Sequence, residues 1–134
     1  MKNILITGGT GFIGSHTCLN FLEEDLNITI IDSLKNSSRN VLKGIKKILE
    51  LSNKYDENKI KFYEGDIRNT AFLREVFLQA KNKGNPIDGV IHFAGLKAVG
   101  ESELNPIIYW DVNVNGSINL FKIMEENNCK TILF

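Results

Sequence analysis

Three glycines, Gly8, Gly11 and Gly14, recur at every third position in the run Thr7-Gly8-Gly9-Thr10-Gly11-Phe12-Ile13-Gly14, directly after the apolar stretch Asn3 to Thr7. A strand, a glycine turn and a helix start in that order make a seat for a phosphate. The turn brings bare backbone close to the anion, and the helix aims its unpaired N-terminal amides and positive dipole end at it. Phe12 and Ile13 supply the first of those amides. A side chain at Gly11 would stand where the phosphate belongs, and one at Gly14 would push the helix off the strand. A glycine triplet alone also describes an ordinary tight turn. Its place between a strand and a helix reads it as a dinucleotide fingerprint.

Asp32 ends a second apolar run, Ile28 to Ile31, about two dozen residues after Gly8. A carboxylate at that point accepts hydrogen bonds from both hydroxyls of an adenosine ribose and repels a 2′-phosphate, which predicts NAD rather than NADP. Arg39 nearby tempers the exclusion without reversing it. Asp66-Ile67, just past a third run, can offer an acceptor to the adenine amino group and an apolar face to the ring, although Gly65-Asp66 is also a routine turn. The run His92-Phe93-Ala94-Gly95-Leu96-Lys97-Ala98-Val99-Gly100-Glu101-Ser102 follows. Ala94 and Gly95 are small enough for a strand end to pass beneath a cofactor ribose, and Lys97 brings a cation with three donors.

These residues need a frame that gathers them at one edge, and the rest of the chain supplies its elements. Asn3 to Thr7, Ile28 to Ile31, Lys59 to Glu64, Gly89 to Phe93 and Thr131 to Phe134 read as five short strands. Between them lie helical patterns. Gly14 to Glu24 puts Cys18, Leu19 and Leu22 on one face, and Val41 to Leu51 does the same with Val41, Leu42, Ile45, Ile48 and Leu49. A third helix, capped by Asn69 or Thr70, buries Phe72, Leu73, Val76, Phe77 and Ala80 before Gly84-Asn85-Pro86 ends it. A long helix runs from near Pro106 to about Asn127-Asn128. Strand and helix in this alternation mean right-handed crossovers and a parallel sheet. The expected fold is α/β, a Rossmann-type doubly wound parallel sheet of strand order 3-2-1-4-5, with residues 1–134 forming one dinucleotide-binding unit. Such a sheet usually carries further strands beyond the fifth, and a finish on Thr-Ile-Leu-Phe leaves an apolar edge open. The polypeptide is therefore expected to be the N-terminal part of a longer protein, truncated at the fifth strand.

Composition narrows the partners. Among 134 residues, sixteen Lys and Arg balance sixteen Asp and Glu. That gives no broad basic surface for nucleic acid. No apolar run reaches the roughly 18 residues of a membrane span, and the N-terminal run lacks the longer apolar stretch and small-residue cleavage site of a signal peptide, so none is expected. Cys18 and Cys129 fit free thiols in a reducing compartment, so a cytoplasmic location is expected. His16 and His92 have no second ligand at a metal-binding spacing. Tyr109 and Trp110 read as packing or interface residues.

The whole chain resembles the extended short-chain dehydrogenase/reductase superfamily and, within it, the UDP-glucose 4-epimerases. The glycine loop with Ser15-His16-Thr17, the segment from Asp32 through Asn36-Ser37, Glu64-Gly65-Asp66-Ile67-Arg68 and Asp111-Val112-Asn113-Val114-Asn115-Gly116 all carry the likeness. The run His92 to Ser102 is its most specific part. The resemblance implies cofactor-binding roles for Phe12, Ile13, Asp32, Ser33, Asn36, Ser37, Asp66, Ile67, Phe93, Ala94, Gly95 and Lys97. It also implies interconversion of UDP-glucose and UDP-galactose by oxidation and re-reduction at C4, with NAD as cofactor, a UDP-sugar as substrate and a homodimer built on the long helix. Val112 departs from the Asn of some bacterial relatives. The family's catalytic Ser and Tyr-x-x-x-Lys are expected beyond Phe134, because Tyr55-x-x-x-Lys59 lies in a peripheral loop. The 134-residue chain alone is then expected to be inactive. A non-catalytic NAD-binding module and a sugar-nucleotide dehydratase are the alternatives.

Overall fold

The computed structural model describes residues 2–134. Five parallel strands form one sheet in the order β3-β2-β1-β4-β5: β1 Asn3–Thr7, β2 Asn27–Asp32, β3 Ile60–Glu64, β4 Gly89–His92 and β5 Ile132–Leu133. The central strands are continuous apolar runs because both faces are covered. Leu5, Ile31 and Val90 point to one face and pack with Leu73, Phe77, Leu120 and Ile123 of helices α3 (Thr70–Asn82) and α6 (Gly116–Glu126). Ile6, Ile28 and Ile30 point to the other, against Cys18 and Leu22 of α1 (Phe12–Glu23) and Ile45 and Leu49 of α2 (Asn40–Leu51). Registers Ile6↔Ile30 and Ile6↔Ile91 align the strands so that their C-terminal ends meet at one edge.

The expected strand order and parallel pairing are those observed. Asn69 is the cap of α3, accepting from the amide of Phe72 at 3.0 Å. Both cysteines are free and buried. Four local expectations change. On α2, Ile48 is 47% exposed, since only Ile45 and Leu49 face the sheet fully. The link after β4 holds an unforeseen helix α4, Val99–Leu104. The long helix is not uniform: α5 (Pro106–Trp110) widens into a π-helical turn at Asp111–Asn115 before α6 begins. It ends at Glu126, and β5 is shorter than the four residues expected.

Candidate dinucleotide site

Strand order reverses between β1 and β4, and there the crossover loops part to leave a crevice beyond the strand ends. A cleft of about 400 Å³ occupies it. Every residue expected at a cofactor site lines this one cleft. The β1–α1 loop contributes Gly8, Gly11, Phe12, Ile13 and Gly14, and the β2 end contributes Asp32, Ser33, Asn36 and Ser37. Asp66 and Ile67 come from the β3 exit, and Phe93, Ala94, Gly95 and Lys97 from the β4 exit.

The glycine loop is built so closely that side chains do not fit. Gly8 has φ +68°, and a Cβ there would lie 2.8 Å from the amide nitrogen of Ala94. A Cβ at Gly14 would come within 2.2 Å of the Gly8 carbonyl oxygen. The Gly11 amide donates to that same carbonyl at 3.0 Å, which folds the loop back upon itself. Gly11, the cap of α1, offers no side-chain acceptor, so the first-turn amides of the helix face the cleft unpaired. Phe12 is 84% exposed beside them. This is a cradle suited to a pyrophosphate.

Asp32 is buried and already employed. Its carboxylate accepts from the Thr10 amide at 3.0 Å, the Leu34 amide at 2.9 Å and the Ser37 hydroxyl at 2.9 Å. The Ser37 and Thr10 hydroxyls lie 2.8 Å apart. Asp32 thus ties the first crossover loop to the second. A carboxylate has about four acceptor positions, so room for one further donor remains, and the rotatable Ser37 hydroxyl can yield another. Arg39, the nearby cation that tempers the exclusion of NADP, is held elsewhere. It pairs with Glu64 at 2.6 Å and lies over the Phe62 ring.

At the β3 exit, Asp66 is gripped by the Arg68 guanidinium, with its closest contact at 2.6 Å, and Arg68 also reaches Asp111 at 2.8 Å. Hydrogen bonds from Arg68 hold the Asp66 carboxyl below its ordinary range, and the same partner lowers Asp111. The ion triplet fastens the π-helical turn to the cleft wall. Ile67 is buried and rests where Gly116 lacks a side chain. Lys97 is exposed and makes no ion pair among the described residues.

Glu101 and Tyr109 also line the cleft, the tyrosine hydroxyl donating to the carboxylate at 2.7 Å. Val112 lines the wall too. The residue pattern did not single out Glu101 or Tyr109 for the site. Glu101 stood within the specific run His92 to Ser102, but its partner is eight residues away on another helix. Among the described residues no group of three or more His, Cys, Asp or Glu side chains gathers where a metal ion could sit. No helix among them is long and apolar enough to cross a membrane.

Comparison with known proteins places this arrangement. A family model described as GDP-mannose 4,6 dehydratase matches residues 5–134. The UDP-glucose 4-epimerase of Neisseria meningitidis serogroup A is 48% identical over 134 residues, covering 100% of this chain and 36% of that protein. The crystal structure of UDP-glucose 4-epimerase from Bifidobacterium longum, in complex with NAD+ and UDP, superposes with a TM-score of 0.86 at 39% identity, over 98% of this chain and 36% of that one. The enzyme from Stenotrophomonas maltophila, with bound NAD and formylated UDP-arabinopyranose, gives 0.85 at 34% identity, again over 98% and 36%. The chain spans about a third of the length of the curated relatives it matches. It belongs to the GDP-mannose 4,6 dehydratase family, and over its whole length it is homologous to the N-terminal part of the UDP-glucose 4-epimerases.

Proposed function

We propose that residues 1–134 form the NAD-binding part of an enzyme that interconverts UDP-glucose and UDP-galactose at C4. The observation that carries this reading is the convergence of fifteen residues from four strand ends on one cleft at the switch point. The relatives at 48% and 39% identity, both UDP-glucose 4-epimerases, favour it over a dehydratase.

The chain's own residues fit the cofactor in a definite order. The amides of Phe12 and Ile13, over Gly8, Gly11 and Gly14, would hold the pyrophosphate. Asp32, with Ser33, Asn36 and Ser37, would hold the adenosine ribose. Asp66 and Ile67 would border the adenine. Phe93, Ala94 and Gly95 would form the floor under the second ribose, and Lys97 would add its positive charge. When bound, NAD would take up a hydride from the sugar and give it back to the opposite face. Proton transfer falls to groups expected beyond Phe134, as does most of the UDP-sugar pocket. A homodimer through the long helix, a cytoplasmic location and the absence of nucleic-acid or membrane partners belong to the same reading.

Calorimetric titration of the purified polypeptide with NAD, and with NADP as the comparison, tests it. Saturable binding of NAD, at least about tenfold tighter than NADP, is the expected result. A folded polypeptide that binds neither, or prefers NADP, refutes the assignment of the cleft.

A further inference from the structure

Behind the cleft floor runs a line of buried polar side chains, Thr7, His92 and Ser117, none of which lines the cleft itself. The Ala94 amide donates to the Thr7 hydroxyl oxygen at 3.2 Å. That hydroxyl meets Nδ1 of His92 at 2.5 Å, and Nε2 of His92 meets the Ser117 hydroxyl at 2.9 Å. Ser117 donates its single hydrogen to the Asn113 carbonyl at 2.6 Å. Thr7 is wholly buried, and Ser117 and His92 are 5% and 7% exposed.

The direction of every bond follows. Because the Ser117 hydrogen is spent on Asn113, the ring must donate at Nε2. A neutral imidazole protonated at Nε2 accepts at Nδ1, so Thr7 donates to it and keeps its lone pairs for the Ala94 amide. One tautomer satisfies the whole line. Burial also disfavours the charged ring, drawing its pKa down to about 4.

A second strap runs beside the first. The Asn113 carboxamide accepts from the Leu96 amide and donates to the Leu96 carbonyl, each at 2.8 Å. A Cβ at Gly95, between the two straps, would lie 3.2 Å from Asn113 Oδ1. Both ends of Ala94–Leu96, the part of the floor and its exit that the two straps hold, are thus tied to the π-helical turn and the helix it opens, one through His92 and one directly.

We propose that His92 and Asn113 are positioning residues for the cleft: the Nε2-protonated ring and the Asn113 carboxamide together fix the Ala94–Leu96 floor to the π-helical turn. The consequence for cofactor affinity rests on the NAD reading above. The floor itself does not.

Two measurements test it, with readouts that a general loss of stability would not reproduce. Long-range nitrogen–proton NMR of the histidine rings should find His92 protonated at Nε2 at neutral pH. An Nδ1-protonated ring, or one titrating near 6.5, overturns the proposal. Hydrogen exchange is then compared for wild type, Asn113→Asp, Ser117→Ala and Ser117→Thr. Asn113→Asp keeps the acceptor for the Leu96 amide but loses the donor to its carbonyl, and Ser117→Ala breaks the His92 line. Both should speed exchange over 93–97 while 11–14 stays as in wild type, and both should weaken NAD binding about tenfold. Ser117→Thr, which keeps the hydroxyl, should restore both. Unchanged exchange over 93–97 in the two broken variants overturns the proposal, as does equally faster exchange across both segments. If wild type binds no NAD, the cofactor reading fails, while the tautomer and the exchange at the floor still decide this one.

Discussion

Asp32 and His92 are both buried titratable side chains, and each survives burial because its neighbours answer its hydrogen-bonding capacity. No buried side-chain nitrogen or oxygen among the described residues lacks a partner. The two differ in what burial asks of them. Asp32 collects three donors. His92 sits among neutral hydroxyls and so stays uncharged. The unfolded chain takes up the His92 proton near the ordinary value of 6.5, the folded chain only near 4. Between those values the unfolded state holds more protons, so stability falls as pH drops through the window, by about 3 kcal/mol at most. Asp66, whose pKa is lowered, loses its contribution only below its ordinary 3.8, outside that window. Urea unfolding from pH 7 to pH 4.5 should therefore show a decline that is shallower in His92→Gln. Parallel slopes in the two proteins would refute the assignment.

At the scale of elements, one substitution should have opposite effects in two helices. Gly14 lies where α1 crosses the end of β1, and a methyl there would strike the Gly8 carbonyl at 2.2 Å and the Gly9 Cα at 2.8 Å. Gly14→Ala should drive α1 off the loop, destabilising the fold by about 1–3 kcal/mol and abolishing cofactor binding. Gly44, in α2, meets nothing within 4 Å. Gly44→Ala should stabilise by about 0.5–1 kcal/mol, since only helix propensity changes. Denaturant midpoints and NAD titrations of the pair check both signs. The difference shows what was legible in the sequence. Strand–glycine–helix punctuation and period-specific apolar runs are local signals, so the five strands, α1 to α3, the glycine loop and Asp32 could be read directly, whereas Ser33, Asn36, Ser37 and Phe93 come only with the family resemblance, and Glu101 and Tyr109 with neither. Short α4 has no buried face to create a pattern. The π-helical turn depends on Asn113, Ser117 and Asp111 finding Leu96, His92 and Arg68, partners 17 to 43 residues away. No window along the chain contains such pairs.

At the scale of the whole molecule, an apolar stripe among the described residues is left uncovered along the long helix. Ile107 (80% exposed), Trp110 (68%), Val114 (37%), Ile118 (42%) and Phe121 (43%) follow one another at three- or four-residue spacings from α5 through the π-helical turn into α6. The stripe is roughly 20 Å long at 1.5 Å per residue. Burying it against the same stripe of a second copy would make a two-fold contact, in which each helix offers and receives the same side chains. Exposed apolar rows of this length mark an interaction surface. The polypeptide should therefore sediment as a dimer, and Trp110→Lys with Phe121→Glu should turn it into a monomer. Because these side chains are largely or partly solvated, the unfolding midpoint of the monomeric variant should stay within about 0.5 kcal/mol of wild type once the dimer's own contribution is removed by dilution. Leu133→Lys, on the outer strand β5, serves as the comparison, since Leu133 is also 63% exposed. If that change dissolves the dimer and the helix changes do not, the copies meet through the sheet edge. A wild-type chain that stays monomeric at every concentration removes the stripe as an interface between copies.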